Sequence, residues 1–161
     1  MIKIIKLCCS VLIIISLTSC IKIIGSDNEG EKKSNELLGY LESNNYEGLK
    51  NMFCEKIQSS KGFDEQVQLV LDFFEGEIIS LDSIEILTNS GYSRENGNYT
   101  TFDIRPHITN IETNAEKIYE IWFSSWIVNT DYEDRVGISQ LIIEDESGDE
   151  CIIGDYYLVN P

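Results

Sequence analysis

His107 is the only histidine in the 161-residue chain, and its neighbours decide what chemistry it could do. Within "FDIRPHITN" it shares strand parity with Asp103 and Arg105, opposite Phe102, Ile104 and Ile108. Asp, Arg and His on one face could line a polar pocket; alternating polar residues more simply describe a solvated strand face. Asp155 is a second candidate base. On an extended strand it shares its face with Cys151, Ile153 and Tyr157. Apolar neighbours raise a carboxylate pKa by desolvation, which suits a general base, but the same residue also reads as a sheet-edge charge. Trp122 and Trp126, with Tyr119 and Phe123 nearby, could grip a ligand by stacking. Aromatics on a central strand more often belong to the core. If the sheet is concave, the pocket residues are Trp122, Trp126, Asp155 and Tyr157, with His107 as a further member.

Other reaction classes find little support. One histidine and two distant cysteines cannot make a zinc site without several carboxylates, so no metal or other cofactor is expected. "DESGDE", Asp145 to Glu150, places Gly148 fourth where a calcium loop needs glycine sixth, and it reads as a hairpin turn. "GISQL" fails the nucleophile-elbow pattern at its last position, and there is no glycine-rich phosphate loop. Asn98-Tyr99-Thr100 fits a glycosylation sequon.

Cysteine chemistry is concentrated at the N-terminus. Lys3 and Lys6 precede an apolar run from Leu7 to Leu17. That run is roughly half the length of a spanning helix and matches the apolar core of a signal peptide. Its end, Leu17-Thr18-Ser19-Cys20, resembles the bacterial lipobox. The resemblance implies that Cys20 receives a diacylglyceryl group and becomes the new N-terminus after residues 1–19 are cleaved. The alternative is a buried N-terminal helix that happens to end in cysteine. Ile21-Lys22-Ile23-Ile24 could then lie against the bilayer, and the polar "GSDNEGEKKSN" reads as a tether, with residues 20–33 preceding a domain at 34–161. Cys54 and Cys151 remain, in a compartment that permits disulfides. They form either a bridge closing a loop of about 100 residues or two separately buried thiols.

The formal net charge is −16, and removal of residues 1–19 deletes two lysines and no acid. Such acidity excludes phosphate neutralisation, hence nucleic acid as a partner, and disfavours adsorption on anionic lipid. The acyl chains would have to hold the protein at the membrane.

The elements that must position these residues fall into two halves. Helical spacing of Leu37, Leu38, Leu41, Leu49, Met52 and Phe53, interrupted at Asn44-Asn45, predicts a helical hairpin over 33–44 and 46–54. "KGFDEQVQLVLDFFEG" predicts a third helix capped by Asp64 and stopped at Gly76. After Gly76, five β-rich segments follow: 79–88, 99–113, 117–129, 136–146 and 151–159. Pro106 interrupts the second and fits a bulge or an edge segment. Both parities of 117–129 are apolar, which predicts a central strand covered on both sides. Helices first and hairpin-linked strands afterwards specify an α+β fold with an antiparallel sheet.

That order resembles the cone-shaped fold of the nuclear transport factor 2 superfamily, in which a curved sheet wraps helices and leaves a pocket at its wide end. More closely, "LLGYLESNNYEGLKNMFC", "DEQVQLVLDFFEGEIIS", "IYEIWFSSWIVNTDYEDRVGISQLII" and the lipobox resemble an uncharacterised family of clostridial lipoproteins, domain of unknown function 5104, over about residues 34–158. The resemblance implies a fold and an address but carries no catalytic residues. The expectation is a lipid-anchored binding or interaction module on the outer face of the bacterial cytoplasmic membrane. Its partner would be a small apolar ligand or a protein, and the superfamily offers homodimerisation through the outer sheet face. The alternative is an isomerase or hydrolase using Asp155 or His107 as general base.

Overall fold

The computed structural model of the protein describes residues 26–87 and 92–159. The segment 1–19 read as a signal peptide, Cys20 and the apolar 21–24 stretch lie outside the described residues. Among the described residues, four helices come first: α1 (Ser26–Glu42), α2 (Tyr46–Asn51), α3 (Glu55–Gln58) and α4 (Phe63–Phe73). Eight strands follow: β1 (Ile78–Ser80), β2 (Ser83–Ile86), β3 (Tyr92–Glu95), β4 (Asn98–Ile104), β5 (Pro106–Thr113), β6 (Ile118–Asn129), β7 (Gly137–Asp145) and β8 (Glu150–Gly154). A last turn of helix, α5, covers Tyr156–Val159. The fold is α+β, with an open antiparallel sheet, as the order of patterns predicts. Among the described residues, no helix is long and apolar enough to cross a membrane.

β6 is the axis of the sheet. β7 runs along one side of it, and β5 and β4 lie end to end along the other. β1 and β2 flank β5, β3 flanks β4, and β8 closes the far edge beyond β7. Register shifts at Phe102/Asp103, Ile108/Ile111 and Ser124/Ser125 mark bulges, which bend strands and increase their twist. Leu37, Leu49, Ile57, Val67 and Val70 from the helices meet Ile104, Ile108, Ile121, Leu141 and Ile143 from one sheet face, all without solvent exposure. Tyr119 ties the layers together: its hydroxyl donates to Phe73 O at 3.0 Å and accepts from Glu75 N at 3.0 Å. Phe74 stacks on its ring with centroids 4.7 Å apart.

Several local expectations change. α1 begins inside the segment read as a tether, and Gly30 and Ser34 are buried within it. Its small residues let the helix lie close against β2, so this polar-looking stretch is packed structure. Asn45 caps α2 through Gly48 N at 2.8 Å, as the sequence suggests, but α2 stops at Asn51. Phe53 and Ile138 form an isolated bridge, which pulls the chain out of helix. α4 is capped by Gly62 instead of Asp64, whose carboxylate is engaged by Tyr46 Oη at 2.8 Å and Lys50 Nζ at 2.6 Å. "SRENGN" is more than a turn: Asn96 and Gly97, with φ 50° and 85°, join two paired strands. Pro106 does interrupt the 99–113 segment, splitting it into β4 and β5. Among the described residues, β6 is covered on one face only. Tyr119, Ile121 and Phe123 are buried, whereas Glu120, Trp122 and Ser124 are half-buried.

Candidate functional site

Two regions collect residues able to bind. The first is the sheet face turned away from the helices. Phe102, Ile104 and Ile108 point into the core, so Asp103, Arg105 and His107 keep the shared outer face that their parity predicts. Arg105 sits in the break between β4 and β5. Its Nη2 donates to Tyr156 Oη at 2.7 Å, and its Nε lies 3.5 Å from Asp103 Oδ2. His107 pairs with Trp122 across β5–β6 and stacks on its indole, with centroids 4.6 Å apart and planes 14° apart. His107 Nε2 is 3.1 Å from Glu120 Oε2. Beside this stack is a hollow of about 150 Å³ bordered by Leu87, Arg105, Pro106, Trp122, Gln140 and Ile142.

The second region is a cleft of about 390 Å³ between α1, α2 and the β6–β7 end of the sheet. Glu29, Lys33, Glu36 and Tyr40, spaced four, three and four residues apart, form one stripe of α1 along it. Met52 and Phe53 border it from the α2–α3 link, and Trp126, Ile127 and Val136 from the sheet. Two close approaches hold this shape. A Cβ on Gly137, where φ is 122°, would lie 2.7 Å from Cys54 N and 3.0 Å from Met52 O. That contact allows Ile138 N to donate to Met52 O at 2.8 Å and Cys54 N to donate to Ile138 O at 3.0 Å. A Cβ on Gly48 would come 2.5 Å from the Tyr40 ring. Tyr40 Oη donates to Glu36 Oε1 at 3.1 Å, and this bond, with the nearby charge, raises the phenol above its ordinary 10.0. One wall of the cleft is thus charged and the other apolar, at a volume typical of small-ligand pockets.

The sequence-derived pocket set is divided. Trp122 and His107 come together on the outer face. Trp126 pairs with Asp103 on β4 and also borders the cleft. Asp155 and Tyr157 join neither. The chain leaves the sheet at Gly154, so strand alternation stops there. Asp155 is exposed and its Oδ1 accepts from Tyr157 N at 2.8 Å, while Tyr157 is 78% exposed. Cys54 and Cys151 are separate thiols, both pushed up in pKa by burial. Among the described residues, no group of three or more His, Cys, Asp or Glu side chains is arranged to hold a metal ion. Sequence reasoning missed Glu120, Tyr156 and the α1 stripe. The stripe has helical spacing and was legible once the helix was extended back to Ser26. The other two depend on cross-strand and end-to-sheet packing, which local pattern does not show.

A family model described as a domain of unknown function (DUF5104) matches residues 36–146, more than half of the chain. The protein belongs to this family. The DUF5104 match runs from the middle of α1 to the end of β7. It includes Tyr40, Phe53, Trp126 and Gly137 of the cleft, and Arg105, His107, Glu120 and Trp122 of the outer face. Tyr156 lies beyond it. No curated protein matches the chain.

Proposed function

We propose that this DUF5104 protein is a lipid-anchored, extracytoplasmic binding module that takes a small amphipathic molecule in the cleft between α1 and the β6–β7 end. The observation that carries this reading is the cleft itself. Its volume of about 390 Å³ suits a small ligand, whose polar group would face Glu29, Lys33 and Glu36 while its apolar part meets Phe53, Val136 and Ile127. The anchor is the acylated Cys20, placing the domain at the outer face of the cytoplasmic membrane. The lipobox-like Leu17–Cys20 supports that address. An open antiparallel sheet holding helices against one face, with bulges in its long strands, supports membership of the nuclear transport factor 2 superfamily and its cone.

Native mass spectrometry of the full chain, purified without denaturation from its own host, tests the cleft. The expected result is a reproducible extra mass that disappears in Val136→Trp, which fills the cleft from a position already 41% exposed. A bare mass, or an adduct unaffected by that substitution, would reject the reading. Loss of acylation in Cys20→Ala is expected for the anchor, and persistent acylated protein in that variant would remove it.

The His107–Glu120 pair favours a second reading, proton-transfer chemistry on a ligand lying against Trp122. It requires that His107→Gln abolish turnover of an identified substrate.

A further inference from the structure

The outer sheet face is built in rows, and two adjacent rows have opposite character. Cross-strand register places His107, Trp122, Ile142 and Ile152 side by side on β5, β6, β7 and β8. Ile152 is 40% exposed, and Leu87, at 47%, adds apolar surface around the hollow beside Trp122. The next row reads Glu120, Glu144 and Glu150, again directly opposite one another on β6, β7 and β8. Like charges at directly opposed sheet positions are destabilising. Glu120 has His107 Nε2 at 3.1 Å, but neither Glu144 nor Glu150 has an ion pair to a described residue. Among the described residues, the sheet therefore carries an apolar row with a hollow in it, beside an acidic row in which Glu144 and Glu150 lack a counter-charge, on the face turned away from α1, α2 and α4; the last helix reaches it through Tyr156 at Arg105.

We propose that this face docks a basic amphipathic segment of another protein. One large apolar side chain of the partner enters the hollow of about 150 Å³ bordered by Trp122, Pro106 and Ile142. Lysines or arginines of the same segment lie against Glu144 and Glu150. Charge complementarity selects this occupant. A second copy of the chain would bring its own Glu120–Glu144–Glu150 row to the contact, at a formal net charge of −16 per chain. An acidic or neutral segment would leave the two carboxylates desolvated and unpaired, which costs more than the apolar contact returns.

The test uses the full chain and a synthetic tryptophan-free peptide with leucine and lysine alternating at helical spacing, with indole fluorescence and calorimetry as readouts. The peptide binds with a change in Trp emission, while its leucine–glutamate twin does not. Glu144→Gln with Glu150→Gln weakens binding roughly tenfold, as expected for two lost charge contacts at a desolvated surface. Ile152→Ser weakens it as well. Glu47→Gln with Glu55→Gln removes the same charge from the helical side and leaves affinity within about twofold. Equal weakening by both double variants would mean that binding follows overall charge, and the proposal fails. It also fails if the acidic twin binds comparably, or if sedimentation shows a dimer at micromolar concentration that Ile152→Lys disperses, since a second copy would then cover this face.

Discussion

Ile121 and Trp122 are neighbours on β6, and they belong to two different environments. Ile121 has no solvent exposure and lies between helices and sheet; Trp122 is half-buried on the open side, stacked against His107. The inner face is organised by volume, with apolar side chains filling the space under α1, α2 and α4. The outer face is organised by rows of unlike chemistry, one aromatic-aliphatic and one acidic. A sheet face that only needed to be soluble would intersperse its charges, since directly opposed carboxylates cost stability. The contrast separates residues that hold the fold from residues that remain available for contact.

The comparison breaks if the two faces respond alike to truncation. Ile121→Ala should cost about 3 kcal/mol through lost burial and the cavity it leaves, whereas Trp122→Ala should cost about 1 kcal/mol. Urea denaturation of both variants measures the difference; equal losses would mean that the outer face is as much core as the inner one. Gly137→Ala comes next. It forces a side chain into a φ of 122° and towards the Cys54 backbone, and a loss of about 2 kcal/mol is expected. Because Gly137 holds Met52 and Phe53 at the cleft, the variant should also lose any bound adduct, while the peptide site on the outer face is unaffected.

The smallest effect sharpens the inner side. Lys50 and then Tyr46 hydrogen-bond the Asp64 carboxylate and lower its pKa from the ordinary 3.8. A folded-state pKa below the unfolded one gives stability that is present above the unfolded value and disappears as pH falls through the folded value. Asp64→Asn should therefore be less stable than the parent at pH 7 by a small margin, and the gap should close below pH 3.8. Thermal melts across that range read it directly. A gap that persisted in acid would assign the difference to packing and not to charge.

Much of the architecture was readable because it depends on local periodicity. Leu37, Leu41 and Leu49 have helical spacing, Asn45 is a capping residue, and the β-branched and aromatic runs after Gly76 mark strands. Proline at 106 fixed a break that the structure reproduces. The same local logic misplaced the start of α1, because Glu, Lys, Ser and Gly look like a linker unless the buried side of Gly30 and Ser34 is known. It also carried strand alternation past Gly154, where the chain turns into a helix, so Asp155 and Tyr157 do not share a strand face with Cys151 and Ile153. For the candidate sites, parity correctly grouped Asp103, Arg105 and His107. It could not bring Tyr156 back to Arg105, or Glu120 to His107, because those contacts arise between strands and between the last helix and the sheet.

The amino-acid sequence by itself determined the helix-then-sheet order, the acidity, the lipobox-like start and the alternation that sorts each strand into two faces. These follow from residue type and from spacings shorter than one element. Tertiary structure decided which long-range neighbours those faces acquired: the Glu120–Glu144–Glu150 row, the Trp122–Ile142–Ile152 row and the cleft held open at Gly137. Register and close backbone approach are collective properties of paired segments, and a chain read one element at a time does not contain them.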